Sequence, residues 1–191
     1  VLFLGCSHTE GIGLRVEDTW VHKVSEQLDA ERFNCYNLGV AGGSCDTVVK
    51  NLVNCTNHLI PGVVFILWPP VERFDFYAQD GAEVFWDTMS AWNANKETMF
   101  LFEEAQSYNN LMRNKVIVDL LKEIHGFTFI ELYADDLHAE FDKLPKTKDT
   151  ARDNHWSPSF HTYVSNKFYS LYHYIMDQQW QEILRKNGQA T

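Results

Sequence analysis

A chain of 191 residues that is 45% hydrophobic is long enough to bury a core of its own, and a single domain over residues 1–191 is expected. Its 26 acidic residues against 16 basic ones give a formal charge of -10, which repels phosphate backbones and argues against a nucleic-acid partner. The longest apolar runs, such as Pro61 to Pro70, reach about half the ~20 residues that a membrane-spanning helix needs, so no transmembrane segment is expected.

The chain opens on a core-like strand with no basic leader, so no signal peptide is visible; it starts at Val1 rather than Met, and its compartment is left open. The four cysteines, Cys6, Cys35, Cys45 and Cys55, lack CxxC spacing and read as free buried thiols rather than a disulfide frame. Val1 to Leu4 is an apolar run without polar alternation, the pattern of a short strand buried on both faces, and Gly5 ends it in a tight turn. Ser7 then stands just past the carboxyl end of this strand, where open α/β sheets bind their ligands. A serine after a glycine is also ordinary turn chemistry, so Ser7 needs partners elsewhere to count as a nucleophile.

After a loop with Gly11 and Gly13, Val21, Val24 and Leu28 recur at helical spacing. Arg32 to Val40 reads as a second strand ending in the turn Ala41-Gly42-Gly43-Ser44. Ser44 caps a helix with the apolar stripe Val48, Leu52, Val53 and Leu59; Pro61-Gly62 stops it before a third strand, Val63 to Leu67, which ends at Trp68-Pro69-Pro70. Such alternation predicts a mostly parallel, three-layer α/β/α sheet of flavodoxin-like type. From about residue 74 to 110 the composition changes to scattered aromatics, Phe76, Tyr77, Phe85, Trp86, Trp92, Phe100 and Phe102, read as an insertion of irregular helices over the sheet edge. Its aromatics either pack hydrophobically or line a substrate cleft, and the segment is where an oligomer interface is sought. Leu111, Val116, Val118, Leu120, Leu121 and Ile124 predict the apolar stripe of a long helix stopped by His125-Gly126. Phe127 to Leu132 reads as a fourth strand, Tyr133 to Thr150 as a long charged loop, and Ser159 onward as a closing helix reaching toward Leu184, with Lys186 to Thr191 as a tail.

A serine hydroxyl becomes a useful nucleophile when a histidine, held by a carboxylate, takes its proton. Asp153-Asn154-His155 supplies both groups on one late loop, although with eight histidines in the chain an Asp-x-His is also expected by chance. Cys6, His8, His155 and His161 have the ligand chemistry for zinc, but their spacing matches no metal signature, and His161 reads as a packing or capping residue of the last helix. The glycine pattern from Gly5 to Gly13 matches neither nucleotide-binding fingerprint. No metal or other cofactor is expected.

Three separated segments, in order, resemble the blocks of the SGNH, or GDSL-like, hydrolase family. Gly5-Cys6-Ser7 is similar to the Gly-Asp-Ser block, with Cys6 in the acidic position; Asn37-Leu38-Gly39-Val40-Ala41-Gly42-Gly43-Ser44 to the second block; and Asp153-Asn154-His155-Trp156-Ser157-Pro158 to the last. The resemblance implies an esterase in which Ser7 is the nucleophile, His155 the base and Asp153 its acid, with the N–H groups of Ser7 and Gly42 forming the oxyanion hole. Two departures stand out. Trp68-Pro69-Pro70-Val71-Glu72-Arg73 occupies the place of the third block, Gly-x-Asn-Asp, whose asparagine donates to the oxyanion; Arg73 is the candidate substitute, or else a surface residue paired with Glu72 or Asp75. The last block is ordinarily Asp-x-x-His, and Arg152 stands three residues before His155, so Asp153, Asp149 or a backbone carbonyl would orient the base. Arg73, Trp68 and Trp156 are the candidate substrate contacts. The implied substrate is an acyl or acetyl ester of a carbohydrate or small alcohol. The alternative is a non-catalytic module of the same fold that binds a carbohydrate or a protein.

Overall fold

A computed structural model describes residues 1–28, 33–80, 83–89, 104–141, 143 and 155–188, with the backbone alone at 77–80, 83–87, 89, 104–105 and 187–188. Four strands, β1 (Leu2–Gly5), β2 (Tyr36–Gly39), β3 (Val63–Trp68) and β6 (Thr128–Tyr133), form a parallel sheet in the order β2-β1-β3-β6. Its helices are α1 (Ser7–Glu10), α2 (Trp20–Gln27), α3 (Cys45–Thr56), α4 (Glu104–His125), α5 (Ala134–Phe141) and α6 (Pro158–Gly188). The remaining strands, β4 (Phe74–Asp80) and β5 (Glu83–Met89), pair with each other as an antiparallel hairpin.

The unbroken apolar runs of β1 and β3 follow from burial on both faces. Successive side chains alternate between faces, so Phe3, Phe65 and Leu67 join Ile130 in one core against α2, α5 and α6. Leu2, Leu4, Val64, Ile66 and Trp68 face the other way, into a core shared with α3 and α4. The result is the expected three-layer α/β/α arrangement. Because β2 and β3 lie on opposite sides of β1, the chain leaves β1 at the point where the strand order reverses, and α1 begins there. Among the described residues no helix is long and apolar enough to cross a membrane.

Four local expectations change. The stretch after Phe74 is a β-hairpin rather than irregular helices, with Phe74 opposite Met89 and Asp75 opposite Thr88; ladder pairing supplies the order that its mixed polarity concealed. Residues 90–103, with Trp92, Phe100 and Phe102, lie outside the described residues, as do the side chains of Tyr77, Phe85 and Trp86. Helix α4 ends at His125 before Gly126 (φ 71°) as expected, but it buries Ser107, Asn110, Leu111, Asn114 and Val118 and exposes Val116, Leu120 and Ile124. Leu111 and Val118 of the expected stripe thus face the core, with Leu121 packed against it, but they share that face with polar Ser107, Asn110 and Asn114. The segment read as a long loop begins with α5, which buries Ala134 and Leu137. Finally, α6 runs on to Gly188, past the start of the expected tail.

Two glycines fix how closely α1 can sit on the sheet. A Cβ at Gly39 would stand 2.3 Å from the Glu10 nitrogen and 2.7 Å from the Thr9 carbonyl carbon, and one at Gly5 would stand 2.1 Å from Thr9 Oγ1. At Gly39 the obstacle is backbone, which cannot rotate away. Gly39→Ala is therefore expected to destabilise the protein by about 2 kcal/mol or more, read as a lower urea midpoint, and to displace the helix that carries Ser7.

Candidate active site at the end of strand β1

Ser7 is the first residue of α1, next to Cys6 at the N-cap, and is 7% exposed. Its helix is anchored to the neighbouring strand end: Asn37 Nδ2 donates to the Thr9 carbonyl (2.9 Å), and the Gly39 N–H donates to Asn37 Oδ1 (3.0 Å). From β1, the Gly5 carbonyl accepts the Val40 N–H at 3.0 Å. The turn that follows is held on both sides. The Ala41 N–H donates to Glu10 Oε2 (2.5 Å) and the Gly43 N–H to the Val40 carbonyl (2.9 Å). Between them Gly42 is exposed at φ 74°, with open space where a Cβ would be.

The far end of the chain meets this strand end through aromatic contacts. His8, the residue after Ser7, stacks on Trp156 with centroids 3.9 Å apart and planes 13° apart. His155 lies edge-on to His8 at 5.3 Å, and His138 of α5 edge-on at 5.0 Å. Trp156 Nε1 donates to His138 Nδ1 (3.2 Å), which assigns the acceptor nitrogen of that ring. His138 belongs to the α5 segment read as loop, so sequence reasoning missed it; the signal was the spacing of Ala134, Leu137 and Phe141, apolar at i, i+3 and i+7.

Burial pushes the His8 imidazole down to about 2, with His138, His155, His161 and Arg73 adding to the effect. His161 is also buried and is pushed down to about 4, first by desolvation and then by Lys23 and His155. Its Nδ1 accepts the Trp20 N–H at 3.0 Å, so it caps the start of α2, while Thr19 Oγ1 accepts the His22 N–H (3.2 Å) in the same turn. The packing role expected for His161 thus serves α2 rather than its own helix. Among the described residues no group of three or more histidine, cysteine or acidic side chains is set to hold a metal.

Arg73 is 8% exposed and donates through Nη1 to the Gly43 carbonyl at 3.3 Å. It is therefore not the surface arginine of the alternative reading, and Asp75 spends its carboxylate on hydroxyls instead: Ser44 Oγ (2.7 Å), Thr47 Oγ1 (2.8 Å) and Thr88 Oγ1 (2.7 Å). Trp68, expected as a substrate contact, is fully buried in the α3/α4 core, where its indole donates to Glu131 Oε2 at 2.6 Å. An even position on β3 faces that core, which is why Trp68 points into the protein. Trp156 is also fully buried and backs the histidines rather than presenting a surface. Asp153 and Asp149, with Arg152, lie outside the described residues.

No model of a known protein family matches this chain, and no curated protein matches it. Solved structures similar to it include a member of the lipolytic protein G-D-S-L family from Veillonella parvula DSM 2008, at 11% identity and TM-score 0.44, covering 87% of this chain and 93% of that one. The psychrotrophic esterase EstA from Pseudoalteromonas sp. is similar at 13% identity and TM-score 0.47, covering 92% and 97%. LAE5, an alpha/beta hydrolase enzyme from the metagenome of Lake Arreo, Spain, is similar at 12% identity and TM-score 0.45, covering 88% and 92%. At identities this low no residue role transfers from them.

The two buried imidazoles make stability depend on pH. Below the ordinary histidine value of 6.5 the unfolded chain takes up protons that folded His8 and His161 refuse. Stability is therefore full above about pH 6.5 and falls as pH drops toward 4, each proton contributing a slope of about 1.4 kcal/mol per pH unit. His161→Gln keeps an acceptor for the Trp20 N–H and removes one of the two protons. Urea unfolding between pH 4 and 6.5 is expected to show the shallower slope in that variant.

Proposed function

We propose that the protein is a serine hydrolase of carboxylic esters, acting on acyl or acetyl groups carried by a carbohydrate or small alcohol. The observation that carries this reading is the packing of His8, the immediate neighbour of Ser7, against His155 and Trp156. It joins the two segments that the chemistry requires at one sheet edge, the edge at which a doubly wound sheet binds ligands.

In this mechanism Ser7 Oγ attacks the ester carbonyl carbon while His155 takes its proton. The N–H groups of Ser7 and Gly42 stabilise the oxyanion. Collapse of the tetrahedral intermediate breaks the bond to the alcohol oxygen, which leaves with the proton from His155. Water, deprotonated by the same imidazole, then releases the acid and restores Ser7. Asp153 steadies the imidazolium. Arg73, which donates to the Gly43 carbonyl beside the turn, stands in for the side-chain donor of the oxyanion hole.

Trp68-Pro69-Pro70 at the position of the third block favours the second reading, a module that binds a carbohydrate or protein without turnover. Hydrolysis of p-nitrophenyl acetate and labelling of Ser7 by a fluorophosphonate separate the two. The hydrolase is expected to show both, to lose on the order of 10⁶-fold in kcat with Ser7→Ala, and to lose about 10²- to 10³-fold with Arg73→Ala. Folded protein that is neither labelled nor active is the binding module.

A further inference from the structure

We propose that Asp75, on the inserted hairpin, is a positioning residue that sets the Gly42-Gly43 turn; the inference rests on the hydrolase reading for its catalytic consequence. The turn runs directly into α3, whose first N–H groups need acceptors. Ser44 and Thr47 meet that need as a capping box: Ser44 Oγ accepts the N–H groups of Asp46 (3.1 Å) and Thr47 (3.2 Å), and Thr47 Oγ1 accepts the Ser44 N–H (3.2 Å). Each hydroxyl has one proton to give, and both give it to the Asp75 carboxylate. The carboxylate thereby aims the hydroxyl lone pairs at the backbone. Without it, each proton is free to turn toward other acceptors and the cap loses its direction.

The attachment is reinforced from both sides. The Asp75 N–H donates to Asp46 Oδ2 (3.4 Å), and Asp46 also accepts from Asn110 Nδ2 (3.1 Å) and Asn114 Nδ2 (2.9 Å) on the polar inner face of α4. Two residues before Asp75, Arg73 holds the Gly43 carbonyl. Arg73 and Asp75 thus grip the turn at the consecutive residues Gly43 and Ser44, one on a backbone carbonyl and the other through the cap hydroxyls. Arg73 ends the segment that stands where the SGNH resemblance expects the third block, and Asp75 follows it in β4.

Asp75→Ala and the isosteric Asp75→Asn test this by hydrogen exchange and kinetics on the full chain. In Asp75→Ala, amide exchange over residues 42–47 is expected to accelerate at least about tenfold, and kcat for p-nitrophenyl acetate to fall by about ten- to a hundredfold with KM little changed, because misplacing a catalytic group by about 1 Å has such a cost. Asp75→Asn retains one acceptor oxygen and should recover part of both. Thr88→Val, which removes the donor that is not part of the cap, should leave exchange over 42–47 unchanged. Unchanged exchange in folded Asp75→Ala overturns the proposal, and so does faster exchange with unchanged kcat. If the wild type does not hydrolyse the ester while Asp75→Ala still speeds exchange, the hold on the turn stands and the hydrolase reading falls.

Discussion

The stack of His8 on Trp156 closes the chain on itself. At 3.9 Å and 13° it is the tightest ring contact around the candidate site, and it joins residues almost 150 positions apart. His8 follows Ser7 on a helix of four residues, too short to hold its own shape in water. That helix keeps its place because Gly5 and Gly39 let it settle onto the strand ends and because the His8 ring is clamped between Trp156 and the edge-on imidazoles of His138 and His155. A loosened stack would free the serine helix and the histidine loop together, so one packing contact controls the relation between the two halves of the site.

The same contact explains the electrostatics. An imidazole enclosed by an indole and other imidazoles gains nothing from ionising, since burial removes water and its neighbours carry only positive charge when charged at all. His8 and His161 therefore remain neutral through the range in which an ordinary histidine titrates.

Features controlled by short-range pattern were legible in the sequence. The double-sided burial of β1 and β3, the Ser44 cap and the Gly126 stop each follow from a few adjacent residues, and the three-layer sheet follows from their alternation. What escaped depends on distant partners. Helix α4 turns Asn110 and Asn114 inward because Asp46, more than sixty residues earlier, accepts their protons, and it leaves Val116 and Leu120 in water. Amphipathicity presumes that the inner face is apolar throughout, and here a carboxylate draws two amides in beside Leu111 and Val118. Trp68 was misread for a related reason. At a strand end it stands where a substrate contact would, whereas the parity of β3 and the carboxylate of Glu131 draw it into the core.

The Arg73 to Asp75 segment holds the Gly42-Gly43 turn by charged chemistry. An asparagine after the third strand would offer a neutral donor from a rigid turn. This chain continues instead into a hairpin whose first residues bring a buried cation to the Gly43 carbonyl and an anion to the hydroxyls of Ser44 and Thr47. Hydrogen bonds to charged groups are roughly twice as strong as neutral ones, so these contacts stiffen the turn. Stiffness matters for an oxyanion hole, whose advantage over water is that its dipoles are already oriented when charge develops. With a glycine at φ 74° at its exposed tip, the turn owes its shape to what holds its two flanks. In this chain those holds are Glu10 before the glycine and Arg73 and Asp75 after it.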